Sequence, residues 1–167
     1  MASDVRIIGL NAPADITPGT DLALLIVSAA RDRGLTFAIG DILVVTQKIV
    51  SKAEGRLVDL CTVTPSAFAA EIAKAQDKDP RLVELVLRET KRVVKMDQKT
   101  LITETHHGLV CANAGVDESN VGGDGKVALL PADPDGSAKR LRQGIAALTG
   151  IELAVVISDT FGRPWRE

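Results

Sequence analysis

Arg92-Val93-Val94-Lys95-Met96, Leu101-Ile102-Thr103-Glu104-Thr105 and Gly108-Leu109-Val110-Cys111-Ala112 follow one another with only short polar breaks. Each is rich in β-branched or apolar residues and reads as a strand. Lys126 to Leu130 adds a fourth. Strands in direct succession argue against a clean βαβ alternation. They predict an α+β fold with a mixed or antiparallel sheet. On the N-terminal side, Val5 to Leu10 reads as a strand, and Pro13 and Pro18-Gly19 punctuate a loop. Thr20 is the expected cap of an amphipathic helix over Asp21 to Arg33, which Gly34 ends. Ile42 to Thr46 is an apolar run of buried-strand type, and the polar stretch Gln47 to Arg56 reads as a strand exit or turn. Thr64-Pro65 and Asp79-Pro80 each place a cap before a proline at the first helical position. Asp133-Pro134 repeats the device for a long helix closed by Gly150, and Leu153 to Ser158 is again an apolar strand. About three flanking helices are expected around the sheet.

The chain has 167 residues and 17.6 kDa, with 46% hydrophobic and 25% charged residues. This is ordinary globular composition, and such a length buries roughly two-thirds of the unfolded surface. A single domain over residues 1–167 is expected. Aromatic residues are only 2%, with no Tyr, so Val, Ile, Leu and Ala must build the core. That content supplies no stacking platform for single-stranded nucleic acid. With 22 acidic residues against 20 basic ones, a basic nucleic-acid footprint is missing as well. Cys61 and Cys111 have no C-x-x-C spacing and read as two buried thiols. No apolar run reaches the ~20 residues that span a bilayer, and Met1 to Asp4 has no secretory character. The expectation is a soluble, cytoplasmic protein with neither nucleic-acid nor membrane partners. The ending at Arg163-Pro164-Trp165-Arg166-Glu167 looks abrupt, as in a truncated chain.

Three segments offer chemistry. Thr46-Gln47-Lys48-Ile49-Val50-Ser51-Lys52-Ala53-Glu54-Gly55-Arg56 brings hydroxyl, amide and ammonium groups to the carboxyl end of a strand, where ligands bind in many α/β sheets. Such groups suit a polyanion, although a solvated turn has the same composition. His106-His107-Gly108 leads to Gly115-Val116-Asp117-Glu118-Ser119-Asn120, where small residues precede a carboxylate and an amide. Asp117 suits a hard divalent cation and Asn120 a base or phosphate; an Asx-capped turn is the alternative. The adjacent histidines do not form a zinc pattern, and one of them reads as structural or as a substrate contact. Val155-Val156-Ile157-Ser158-Asp159-Thr160-Phe161-Gly162-Arg163 ends another buried strand in an acid, a hydroxyl and an arginine, an arrangement used in phosphoryl transfer; a strand-terminal turn with Asp159 as a cap is the alternative. No G-x-x-x-x-G-K-[ST], G-x-S-x-G or H-E-x-x-H motif is present.

In this order and spacing, Gly9-Leu10 before Pro-Gly-x-Asp-Leu, the Val44 to Arg56 segment, Gly115 to Val121, Leu129-Leu130-Pro131 with Asp133 to Ala138, and Ser158 to Arg166 resemble the coenzyme F-420 gamma-glutamyl ligase family. The resemblance implies an α+β fold without a P-loop. It implies an enzyme that uses GTP to add L-glutamate to a deazaflavin coenzyme, F-420-0, through a gamma-linked amide and an acyl phosphate. Magnesium or manganese, stimulation by potassium, and a homodimer are implied with it. By position, Asp117, Asp159 and Thr160 would hold the metal. Leu10, Asn11, Ala12, Pro13, Thr46, Gln47, Lys52 and Asn120 would contact GTP, and no residue is implied as acid, base or nucleophile. The segment Asn11 to Ile16 is longer than usual for the family, and Gln47 stands where a small hydroxyl residue is common.

Two rival readings accompany this one: a ligase of the same scaffold with another acceptor, and a non-catalytic nucleotide-binding fragment. Sheet edges left open by missing later strands would favour association, in line with the implied dimer.

Overall fold

The computed structural model describes residues 4–11, 15–118 and 125–159. The chain is α+β, as expected. Among the described residues there are five α-helices rather than about three: α1 (Leu22–Asp32), α2 (Gln47–Ala53), α3 (Ala67–Gln76), α4 (Pro80–Arg88) and α5 (Pro134–Thr149). The strands are β1 (Ile42–Thr46), β2 (Leu57–Asp59), β3 (Thr90–Met96), β4 (Leu101–Thr105), β5 (Val110–Ala112), β6 (Lys126–Ala128) and β7 (Ala154–Ser158). They form three small sheets instead of one. β1 and β7 are parallel, β2 and β6 antiparallel, and β3-β4-β5 an antiparallel meander.

Where caps and prolines are adjacent, local chemistry sets the helix starts. Asp79 Oδ1 accepts from the Arg81 amide at 2.8 Å and Asp133 Oδ1 from the Gly136 amide at 2.9 Å, each just before the proline-led helix. Two caps shift from the expectation. Asp21, not Thr20, caps α1 through the Leu24 amide at 3.0 Å, because Thr20 Oγ1 instead donates to the Thr17 carbonyl at 2.7 Å. Ser66, not Thr64, caps α3 through the Ala69 amide at 3.1 Å, since the proline at 65 keeps the preceding residue extended.

The stretch expected as a turn after β1 is the helix α2. Its inward residues decide this: Val50 is buried in the core with Val45, and Gln47 and Ser51 sit one helical turn apart against Leu129. Val5 to Leu10, expected as a strand, is not one. Val5 and Ile7 are 86% and 92% exposed, and only Leu10 reaches the core. β-propensity without a neighbouring strand to pair with does not make a ladder.

α1 and α5 cover one face of the β1–β7 pair. Ala23, Ile26, Val27, Val45, Val50, Leu141, Ile145 and Leu153 form that core. The two helices meet closely at Gly144, where a Cβ would lie 2.7 Å from the Ala23 methyl carbon. On the other face, Ile42, Val44 and Val156 are exposed. A second core of Leu60, Val63, Leu82, Leu85, Val127 and Leu129 joins α4 to β6. Cys111 is buried as expected; Cys61 is exposed, because it sits in the short 3-10 turn Leu60–Thr62 at the surface. No helix among the described residues is long and apolar enough to cross a membrane.

Candidate functional site

The parallel register pairs Thr46 with Ser158, so β1 and β7 end side by side. The segments leaving the two strands therefore start at one place. After Thr46 comes α2, with Thr46 in the cap position but making no capping hydrogen bond through its side chain. After Ser158 comes Asp159, which is exposed.

α2 has two working faces. Inward, Gln47 Nε2 donates to Ser51 Oγ at 2.6 Å and to the Leu129 carbonyl at 3.0 Å, and Ser51 Oγ donates to the same carbonyl at 2.6 Å. Gln47 is 3% exposed and Ser51 wholly buried. Expected as a nucleotide contact, Gln47 has its amide nitrogen engaged in fastening α2 to the strand after β6. Lys48 and Lys52 are an i, i+4 pair and so share another side of the helix.

Asp117 reaches this helix through β6. Its amide donates to the Ala128 carbonyl at 3.0 Å, and the Ala128 amide donates back at 2.8 Å. Its carboxylate Oδ2 lies 2.7 Å from Lys48 Nζ, with side-chain exposures of 23% for the lysine and 32% for the acid. The pair is thus partly exposed to solvent. The turn leading to it requires a glycine: Gly115 has φ +71°, and a Cβ there would lie 2.9 Å from Leu130 Cδ1. Asp159 stands near β5, since its negative charge adds to the burial that pushes the Cys111 thiol up to about 11.

The fold therefore sets Lys48 of α2 against Asp117, carries Thr46 and Lys52 at the two ends of the same helix, and delivers Asp159 next to the end of β7. Leu10 packs against the α1–α5 core and Asn11 is exposed. Ala12, Pro13, Asn120, Thr160 and Arg163 lie outside the described residues. Lys48 was not among the expected contacts. Its spacing from Lys52 would have marked it, had the stretch been read as a helix. Of the two histidines, His106 Nε2 lies 3.2 Å from the Arg88 carbonyl and His107 Nε2 3.2 Å from the Ala132 carbonyl, so both brace backbone.

No group of three or more His, Cys, Asp or Glu side chains gathers among the described residues. The donors at hand are carboxylate oxygens, from Asp117 and Asp159. By chemistry, carboxylates of this kind would suit a magnesium-like ion, which takes one or two from a protein and fills its other positions with water and phosphate oxygens. They do not fit a closed structural zinc site, which needs nitrogen or sulfur ligands.

Comparison with known proteins gives the chain its family. The chain is 46% identical over 163 residues to a protein named coenzyme F420:L-glutamate ligase from Methanothermobacter thermautotrophicus, covering 98% of this chain and 64% of that protein. The protein of the same name from Methanopyrus kandleri is 47% identical over 152 residues, 91% of this chain and 58% of its own length. That of Methanocaldococcus jannaschii is 47% identical over 128 residues, 77% of this chain and 51% of its own. The chain thus spans about half to two-thirds of these relatives. The family model described as F420-0:Gamma-glutamyl ligase matches residues 9–167, which include every segment that builds the strand-end site. With nearly its whole length inside that match, the chain belongs to the F420-0:gamma-glutamyl ligase family.

Proposed function

We propose that this chain carries the nucleotide- and metal-handling part of a GTP-dependent ligase that joins L-glutamate to coenzyme F-420-0 through a gamma-linked amide. The observation behind it is the Lys48–Asp117 pair at 2.7 Å, set where β1 and β7 end together. The names of the relatives, coenzyme F420:L-glutamate ligase, supply the acceptor and the amino acid.

A carboxylate resists attack by an amine, so an acyl phosphate is the reading that fits amide formation. The acceptor's carboxylate oxygen takes the gamma-phosphoryl group of GTP, and GDP leaves. The amine nitrogen of glutamate then attacks the acyl carbon, inorganic phosphate leaves, and the nitrogen loses a proton. Lys48 and Lys52 offset the negative charge of the phosphate chain from one side of α2. The Thr46 hydroxyl, not engaged in capping, offers a hydrogen bond beside them. Asp117 and Asp159 would hold magnesium or manganese, which when bound supplies charge neutralisation at the phosphate oxygens. Asn120 and Thr160 belong to the same reading by position, as do Leu10, Asn11, Ala12 and Pro13. Potassium as a stimulant and a homodimer complete the proposal. The exposed Ile42, Val44 and Val156 face is compatible with an association surface.

The test is incubation of the chain with GTP, manganese, L-glutamate and F-420-0, read by mass spectrometry. A product heavier by one glutamyl unit supports the ligase. GTP binding without product identifies a nucleotide-binding portion, and product only with another acceptor identifies a same-scaffold relative.

A further inference from the structure

Three consecutive residues upstream of Asp117 lie in the left-handed region: Asn113 at φ 51°, Ala114 at φ 52° and Gly115 at φ 71°. Asparagine and glycine adopt it readily, whereas alanine there is strained by its Cβ. Such a run persists only where its surroundings over-determine it. Two restraints come from the core. Ala114 is buried with Val86 and Leu101, and Leu130 sits against Gly115. The third comes from outside the loop: Lys78 Nζ donates to Asn113 Oδ1 at 3.2 Å.

Lys78 belongs to the α3–α4 connection, next to Asp77, itself left-handed at φ 52°. Its amide donates to the Ala73 carbonyl at 3.0 Å, which fixes its backbone to the end of α3. Burial pushes its ammonium below the usual lysine range, and the charge of Glu118 opposes that shift. Lys78 thus reaches Asn113, four residues before Asp117, and feels the charge of Glu118, the residue after it.

We propose that Lys78 is a positioning residue, which through Asn113 holds the 113–115 turn and so sets where the Asp117 carboxylate stands against Lys48. The consequence for metal rests on the reading of Asp117 as a site residue; the restraint on the turn does not. Because Asp117 is joined to Ala128 by two backbone hydrogen bonds, a loosened turn must show as faster exchange of those amides.

The test compares the wild-type chain with Lys78→Met, Lys78→Arg and Asn113→Gly. Lys78→Met is expected to speed exchange of the Asp117 and Ala128 amides by about tenfold, with Ile26 and Ile145 in the α1–α5 core unchanged. Manganese affinity, read from the paramagnetic resonance of the free ion, is expected to fall about tenfold, as when a support of a ligand is removed. Lys78→Arg restores both. Should Lys78→Met fail to fold, Asn113→Gly carries the same expectation, because it keeps the left-handed backbone and removes only the acceptor. Unchanged exchange at Asp117 and Ala128 overturns the proposal, and so does wild-type manganese affinity in a variant whose exchange has risen. A wild-type chain that binds no manganese instead overturns the metal reading of Asp117, while the exchange rates still decide for or against Lys78.

Discussion

Lys48 Nζ lies 2.7 Å from Asp117 Oδ2, tying the helix that follows β1 to the loop that precedes β6. Both side chains remain partly exposed, and a pair in that setting contributes only about 0–1 kcal/mol to stability. Its value is in placement. Asp117→Asn is therefore expected to leave the melting temperature within a few degrees of wild type, a shift of roughly 1 kcal/mol at most. GTP-dependent glutamate addition is expected to fall by about a hundredfold or more. Turnover preserved within a few-fold in a steady-state assay would remove Asp117 from the reaction.

Ser51 and Gln47 converge on the Leu129 carbonyl in a wholly buried network. Ser51→Ala takes away one donor to that carbonyl and one of the two acceptors of the Gln47 amide. A loss of about 1–3 kcal/mol in stability is expected, measured as a lower urea midpoint at constant slope. An unchanged midpoint would mean the network does not fasten α2.

Gly115 and Gly34 both have positive φ, at +71° and +66°, but only Gly115 faces a neighbour. Gly34→Ala is expected to cost about 1 kcal/mol, the strain of a left-handed alanine. Gly115→Ala adds a clash with Leu130 and is expected to cost about 2–4 kcal/mol in the same denaturation measurement. Equal costs at the two positions would contradict the close approach of Leu130.

Acid stability depends on Glu84. The Ser66 amide donates to its Oε2 at 2.9 Å, and the Arg88 guanidinium donates to Oε1 at 2.9 Å; these hold its carboxyl below the ordinary value of 4.5. An acid lowered on folding binds fewer protons in the folded state. Its contribution is present above pH 4.5 and is lost as pH falls through the lower folded value. Glu84→Gln should therefore lose less stability than wild type as pH falls below 4.5. Parallel acid profiles of the urea midpoint would refute this.

Cys61 is exposed and Cys111 buried with its thiol raised to about 11. In the folded chain at neutral pH, an aromatic disulfide reagent should label one thiol, Cys61. The second should appear only on unfolding. Rapid labelling of both would place Cys111 at the surface.

Much of the frame was legible locally. Asp79-Pro80 and Asp133-Pro134 combine a cap with a fixed φ in neighbouring residues, so no distant contact was needed to read them. Gly34 and Gly150 ended their helices for the same reason. The misread stretches depend on distant partners. Gln47 to Arg56 looked polar because nothing near it reveals that Leu129 will bury Gln47 and Ser51. Val5 to Leu10 has strand-forming residues but no strand beside it among the described residues. In the site, Asp117 and Asp159 stand out as acids beside strand ends or small residues. Lys48 does not, because its role depends on a helix whose local sequence has the composition of a turn and on an acid 69 positions away.

Whether Asp117 and the α2 lysines form a nucleotide site with a divalent ion is decided by calorimetric titration of GTP into the chain with and without manganese. Binding that requires manganese and weakens by about tenfold or more in Asp117→Asn is expected. No binding of GTP by the wild-type chain with manganese present, or equal binding by Asp117→Asn, would contradict it.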